Sequence, residues 1–321
     1  MKIIKIFSTF IFVFIASEAF ADATAYPNKP IKIVVSFTPG GTTDILSREV
    51  ATQLSARWKV PVIVENKPGA AGNLGTEIVG RSVADGYTLL TSSIGPISIN
   101  PTLFKNLAVS PQKSLQPVAL LGEIPSVLVV PSNTGVTSWK DFLAYTKANK
   151  DALSYSSTGI GTGSHLFGFL FLQKTNMEAI HIPYKGAEAT RDLVAGRVSF
   201  MFATAPSVVQ LIKAGQLSPI AISSKKRISA LPNTPTLKEL GVDLAATTWF
   251  GIFAPTGINP EILQKLNATI MDILMQPEMN KKLAAIGVEP VQMNASEFAN
   301  YLQNDFTMWA PIVQASGAKP E

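Results

Sequence analysis

Ile31-Lys32-Ile33-Val34-Val35-Ser36-Phe37-Thr38-Pro39-Gly40-Gly41-Thr42-Thr43-Asp44 decides the fold class. Ile31 to Phe37 is a short, apolar, β-branched run, the pattern of a buried strand. Thr38-Pro39-Gly40-Gly41 breaks it. Thr42, Thr43 and Asp44 are helix-start residues, and Ile45, Leu46, Val50 and Leu54 follow at helical spacing. The same unit then repeats. Val62 to Val64 reads as a strand, Pro68-Gly69 as a turn, the stretch from about Leu74 to Val83 as a helix, and Tyr87 to Thr91 as a third strand, with Ser92 at its end. Strand and helix in alternation predict an α/β fold with a mainly parallel sheet and helices on both faces.

Further along, the pattern starts again. Ser126 to Val130 is a strand, and Ser138 caps a helix from Trp139 to about Lys147. Leu153 to Ser157 runs into Thr158-Gly159-Ile160-Gly161-Thr162-Gly163-Ser164, with a helix from about His165. Strands at Ile180 to Pro183, Ser199 to Ala203 and Leu217 to Ser223 alternate with helices ended by Gly196 and Gly215. A strand near Thr248 to Phe253 and three helices close the chain. Two α/β sets imply two lobes with a cleft between them.

At 321 residues and 46% hydrophobic, the chain is long enough for two cores. There is no Cys, so disulfides, thiol catalysis and cysteine metal sites are excluded. Lys2 and Lys5, an apolar run from Ile6 to Ala16, and Ala19-Phe20-Ala21 have the layout of a secretory signal peptide, with cleavage expected after Ala21. The formal charge is +5, and removal of Lys2, Lys5 and Glu18 with the leader lowers it by one. The basic residues form no stripe, so no nucleic-acid partner is expected. Mean hydropathy is +0.24, yet beyond the leader no apolar run has the length of a membrane span.

Two glycine-rich strand-to-helix turns carry the candidate chemistry. One is Phe37 to Asp44, the other Ser157 to Ser164 followed by His165. Backbone N–H groups at such turns, with the positive end of a helix, suit a carboxylate or phosphate. For either turn alone, a tight turn needing positive φ is the better explanation; two of them in separate α/β units favour the anion reading, because strand C-terminal ends form the ligand crevice in such sheets. Pro68-Gly69-Ala70-Ala71-Gly72-Asn73-Leu74-Gly75 has the wrong spacing for a dinucleotide fingerprint, and no Walker lysine follows any glycine loop. The two histidines, His165 and His181, make no metal spacing, and Ser164 lacks a nucleophile elbow. The reading is therefore a binding protein without cofactor or metal, not an enzyme. Trp249 and Phe250 are candidates to line a pocket.

Several segments resemble one family: the F-x-P-G-G-x-x-D turn at Phe37 to Asp44, Val64-Glu65-Asn66-Lys67-Pro68-Gly69-Ala70-Ala71-Gly72-Asn73-Leu74-Gly75, Gly159 to His165, His181-Ile182-Pro183-Tyr184-Lys185-Gly186, Thr248-Trp249-Phe250-Gly251, and the tail Ala315 to Glu321. On these the chain is similar to the Bug-family periplasmic solute-binding receptors of tripartite tricarboxylate transporters. The resemblance implies a type II periplasmic-binding-protein fold of two lobes, with a hinge of two crossing strands near Val118 to Gly122 and Pro219 to Ser223. It implies a first lobe over 22–124, a second over 125–223, and the rest of the first over 224–321. It implies a monomer that takes a small organic acid and serves the membrane components of such a transporter, or presents the ligand to a periplasmic sensor domain. The implied ligand residues are Phe37, Pro39, Gly40, Gly41, Thr42, Thr43, Asp44, Ser92, Ser157, Thr158, Gly161, Thr162, Ser164, His165, Ala203, Thr204 and Trp249. Where many members read M-F-D-N-x-P-S, this chain has Met201-Phe202-Ala203-Thr204-Ala205-Pro206-Ser207. Either an anionic group for a ligand ammonium is missing there, or the change is drift at a helix cap.

Overall fold

The computed structural model describes residues 26–319. The expected signal peptide and the last two residues of the tail lie outside them. Strand β1 (Ile31–Val35) runs parallel between β2 (Val62–Asn66) and β3 (Thr88–Ser93). Helix α1 (Thr42–Trp58) and helix α2 (Asn73–Gly80) connect them. Ile31, Ile33, Val34 and Val35 are fully buried, which explains the near-continuous apolar run: a parallel strand covered on both faces shows no polar alternation. After β3 the chain makes a π turn at Gly95–Ile99 and the short helices α3 (Asn100–Leu103) and α4 (Pro111–Ser114).

Next comes β4 (Leu115–Pro131), a strand of 17 residues that belongs to two sheets. Leu115 to Pro125 pair antiparallel with β9 (Thr247–Pro255), which itself lies against β3. From Ser126 onward the partners are β7 (Phe200–Thr204) and β8 (Leu217–Ile222). The change falls at Pro125, which has no N–H to give to a ladder. The first sheet therefore has the order β2-β1-β3-β9-β4. The second contains β6 (Ile180–Pro183), β5 (Ser154–Ser157), β7, β4 and β8, with β5 parallel to both β6 and β7. Helices α5 (Trp139–Ala148), α6 (Gly163–Thr175), α7 (Glu188–Val194) and α8 (Ala205–Lys213) cover this sheet.

Two expectations are corrected here. The sheets are mixed, because β9, β4 and β8 enter antiparallel; local alternation does not reveal the direction of a returning strand. Neither crossing is where the sequence suggested: Val118 to Gly122 lie against β9 inside the first sheet, with the first crossing at Pro125-Ser126, and the second crossing is not at Pro219 to Ser223. Those residues are tied to the second sheet, Pro219 opposite Val129 and Ile222 opposite Val127. Segment 224–246 stays with them, since Leu237 N–H donates to Ile222 O at 2.9 Å. The chain returns at Ala246-Thr247, where Thr247 meets Pro125. Ser223 fastens this junction. Its hydroxyl accepts from Ser126 N–H at 2.9 Å and donates to Ala246 O at 2.7 Å.

The last three helices are α9 (Pro260–Met275), α10 (Pro277–Ala284) and α11 (Ala295–Ala315). α11 starts with a capping box in which Asn294 and Glu297 exchange hydrogen bonds with each other's backbone N–H. Its buried Phe298, Leu302, Trp309 and Val313 join the core that contains Trp249 and Phe253. No helix among the described residues is long and apolar enough to cross a membrane.

Candidate functional site

A cavity of about 410 Å³ opens between the two sheets, within the usual size of a small-molecule site. The first lobe contributes Phe37, Gly40, Gly41, Thr42 and Thr43 from the β1–α1 turn, Ser93 from β3, and Thr248 and Phe250 from β9. The second contributes Thr158, Thr162, Gly163 and Ser164 from the β5–α6 turn, Gly186, Ala187, Thr190, Arg191 and Val194 around α7, and Met201, Thr204 and Ser207 from β7 and α8. No Asp or Glu lines it, and Arg191 is the one cationic side chain in the lining.

The lobes touch across the cleft. Thr42 and Thr204 hydroxyls are 2.6 Å apart. Thr38 Oγ1 donates to Lys185 O at 3.3 Å and accepts from Ala187 N–H at 3.0 Å. Gly186 lies between those two partners, at φ +79°, and a Cβ there would overlap Thr38 Oγ1. Gly161 makes a similar approach to Asn100 and Leu103.

Contrary to the sequence reading, the glycine turns spend much of their own donor capacity. Gly40 N–H, at φ +84°, donates to Asp44 Oδ2 at 3.0 Å. Burial alone would raise the Asp44 carboxyl, but hydrogen bonds from Arg48, Gly40 and Asn66 outweigh it and hold it below the usual carboxylate range. In the second turn Thr158 N–H donates to Ser164 Oγ (3.1 Å), Gly159 N–H to Ser157 Oγ (3.2 Å) and Gly161 N–H to His165 Nδ1 (3.1 Å). The donors left for the cavity are the first N–H groups of the helices, which have no carbonyl one turn earlier. Helices α1, α6 and α8 all begin at the cavity wall, so their positive ends converge there, with a belt of Thr and Ser hydroxyls around them.

Of the expected site residues, Phe37, Gly40, Gly41, Thr42, Thr43, Thr158, Thr162, Ser164 and Thr204 line this cavity. The others lie outside the lining. Pro39 is exposed. Asp44 braces the turn. Ser92 is fully buried against Ser36. Ser157 is bonded to His181, with Ser157 Oγ 2.7 Å from Nε2. Gly161 is a lobe contact. His165 is buried and stacked on His181 at 4.0 Å between ring centroids. Ala203 is fully buried in the second lobe's core. Trp249 donates its indole N–H to Asp305 at 2.9 Å, away from the cavity.

The sequence reading missed Ser93, Ser126, Thr190, Arg191, Met201, Ser207 and Thr248. A strict period of two along the strands carries part of this signal. Ser92 and Trp249 face inward, so their neighbours Ser93, Thr248 and Phe250 face the cleft.

Thr204→Val tests the lobe contact. It keeps the side chain's shape but leaves Thr42 without its partner, and should weaken ligand binding by about 1 kcal/mol, close to fivefold. Calorimetry reads this directly, and unchanged affinity would mean that the contact adds nothing to closure.

This architecture is that of the two-lobed periplasmic binding proteins. Residues 46–318 match the Tripartite tricarboxylate transporter family receptor, and the chain belongs to that family. It is 34% identical to Protein BugT of Bordetella pertussis over 313 residues, covering 96% of each chain. A solved R. palustris protein with adipate has a TM-score of 0.89 and 30% identity, over 92% of this chain and 100% of that one. MatC from Rhodopseudomonas palustris with bound malate has a TM-score of 0.83 and 28% identity, over 90% and 100%.

Proposed function

We propose that this protein is a periplasmic solute receptor that captures a small organic carboxylate between its lobes and delivers it to a tripartite tricarboxylate-type membrane transporter. One observation carries the reading: three helix N-termini and a belt of hydroxyls converge on a cavity with no acidic side chain in its lining. Such a site stabilises an anion through fixed dipoles and neutral donors. A ligand ammonium finds no counter-ion among the lining residues, which disfavours amino acids. The relatives solved with adipate and malate agree with a carboxylate. The lobes divide at residues 125/126 and 246/247, and ligand binding holds them together. The protein acts as a monomer after cleavage following Ala21.

Calorimetry against a panel of mono-, di- and tricarboxylates tests this. At least one acid should bind with micromolar affinity, about −8 kcal/mol, and glutamate and aspartate should bind more weakly than the matching dicarboxylates. Silence across the panel from folded, ligand-stripped protein would overturn the proposal. Capture of the transporter's membrane subunits from solubilised membranes, dependent on ligand, tests delivery.

A further inference from the structure

The cavity does not end at the cleft. It continues into the second lobe between α7 and α8. On α7 the lining residues Ala187, Thr190, Arg191 and Val194 fall at i, i+3, i+4 and i+7, which is a single helix face. On the other side Thr204, Ser207 and Leu211 do the same, and Met201 of β7 forms the floor. Gln216, exposed just past the end of α8, lines the far end. From Thr204 to Leu211 the groove follows about two turns of helix, or about 10 Å.

The composition changes along this length. At the cleft end the walls are hydroxyls and helix N-termini. Deeper in they are Val194, Leu211 and the Met201 thioether. Thr190 turns its hydroxyl toward Met201 Sδ at 3.9 Å. Arg191 has 71% of its side chain exposed and faces Asp192 at 3.6 Å, so it flanks the rim without charging the interior. Two helices that faced each other across a finished core would fill this space with side chains. Here the facing residues leave it open to the site.

We infer that the ligand is a carboxylate with an extended apolar body, and that this body occupies the α7–α8 groove while the carboxylate stays at the helix N-termini of the cleft. The inference rests on the carboxylate reading above and adds a second, apolar subsite to it. A short hydroxy acid leaves the groove empty; a medium-length acyl chain or a ring on a short linker fills it. Methionine suits such a wall because its thioether adapts to different shapes.

The experiment is calorimetry with butyrate, hexanoate, octanoate and 3-phenylpropionate on the wild type, Val194→Phe and Leu211→Trp. Wild-type affinity should rise with chain length, by up to about fourfold for each methylene that leaves water, and by at least tenfold from butyrate to octanoate. Filling the groove should remove that gain: each variant should bind octanoate at least tenfold more weakly than wild type and should lose the rise of affinity with chain length. A cooperative melting curve like that of wild type shows that the variant is folded. Equal binding of all chain lengths by the wild type, or undiminished octanoate binding by both variants, would overturn the groove while leaving the carboxylate reading intact. Failure of every acid, short and long, on folded protein would overturn both.

Discussion

Gly186→Ala should weaken binding of the best acid from the panel by about 100-fold, close to 3 kcal/mol. The added methyl has nowhere to go when the lobes meet, because Thr38 Oγ1 already occupies its place. That hydroxyl also holds Lys185 O and Ala187 N–H, so rotating it aside gives up two hydrogen bonds across the cleft. Closure is therefore penalised, and with it every contact that only the closed form makes. Alanine at φ +79° adds a backbone cost of roughly 1 kcal/mol within the second lobe, which a melting curve reports separately. The double variant Thr38→Ala with Gly186→Ala distinguishes the two costs. Without the opposing hydroxyl the lobes close again, and affinity should recover by tenfold or more relative to Gly186→Ala alone. Wild-type affinity in Gly186→Ala, or no recovery in the double variant, would show that this contact does not govern binding.

The second large effect is expected on acidification. His165 and His181 are stacked behind the β5–α6 turn, with Tyr155 on the other face of His181 at 4.8 Å. Burial pulls the His165 imidazole down to about 4. Burial and the neighbouring His165 pull His181 down to about 3. Both are therefore neutral in the folded protein at pH 5 to 6, while in the unfolded chain they take up protons below about 6.5. The unfolded state then binds more protons, so stability falls as pH drops from about 6.5 toward those folded values. With two groups, and a discount for the partial exposure of His181, the loss should be about 2 kcal/mol per pH unit between 6 and 5. Urea unfolding at a series of pH values measures this slope. His165→Gln with His181→Gln should flatten it; an unchanged slope in that variant would assign the effect to other groups. Through this pair, binding should weaken only at lower pH, near 4, where protonating His165 Nδ1 removes the acceptor of Gly161 N–H and loosens the turn that lines the cleft.

The sequence carried the local units well, for identifiable reasons. A covered parallel strand shows itself as an unbroken apolar run, and Ile31 to Val35 is one. Pro39, Gly40 and the Thr-Thr-Asp that follows mark a strand-to-helix turn by their backbone preferences alone. What stayed hidden depends on partners far away in sequence. β4 reads as separate apolar pieces, since nothing local says that Leu115 to Pro125 and Ser126 to Pro131 pair with different sheets. The site shows the same division. Residues on the two turns were found because glycine and hydroxyl clusters are visible locally. Asp44 and His165 were assigned to the ligand because they sit in those clusters, whereas their side chains satisfy the turns' own N–H groups. Thr190, Met201 and Leu211 look like ordinary amphipathic positions, and only the spacing of α7 from α8 gives them another role.

The position of β9 has a consequence for the order in which the molecule can assemble. All strands of the second sheet, including their half of β4, have been made by residue 222. The first sheet is different: β9, starting at Thr247, lies between β3 and β4, and without it β3 and the first half of β4 have no connection. A chain emerging from its N-terminus can thus complete the inserted lobe while the lobe that begins the sequence still waits with an open β3 edge. A fragment ending at Ala246 should leave that edge unpaired and prone to join other chains. Extending the fragment past Pro255 supplies the missing strand, so the step from self-association to solubility in a truncation series should fall within those nine residues.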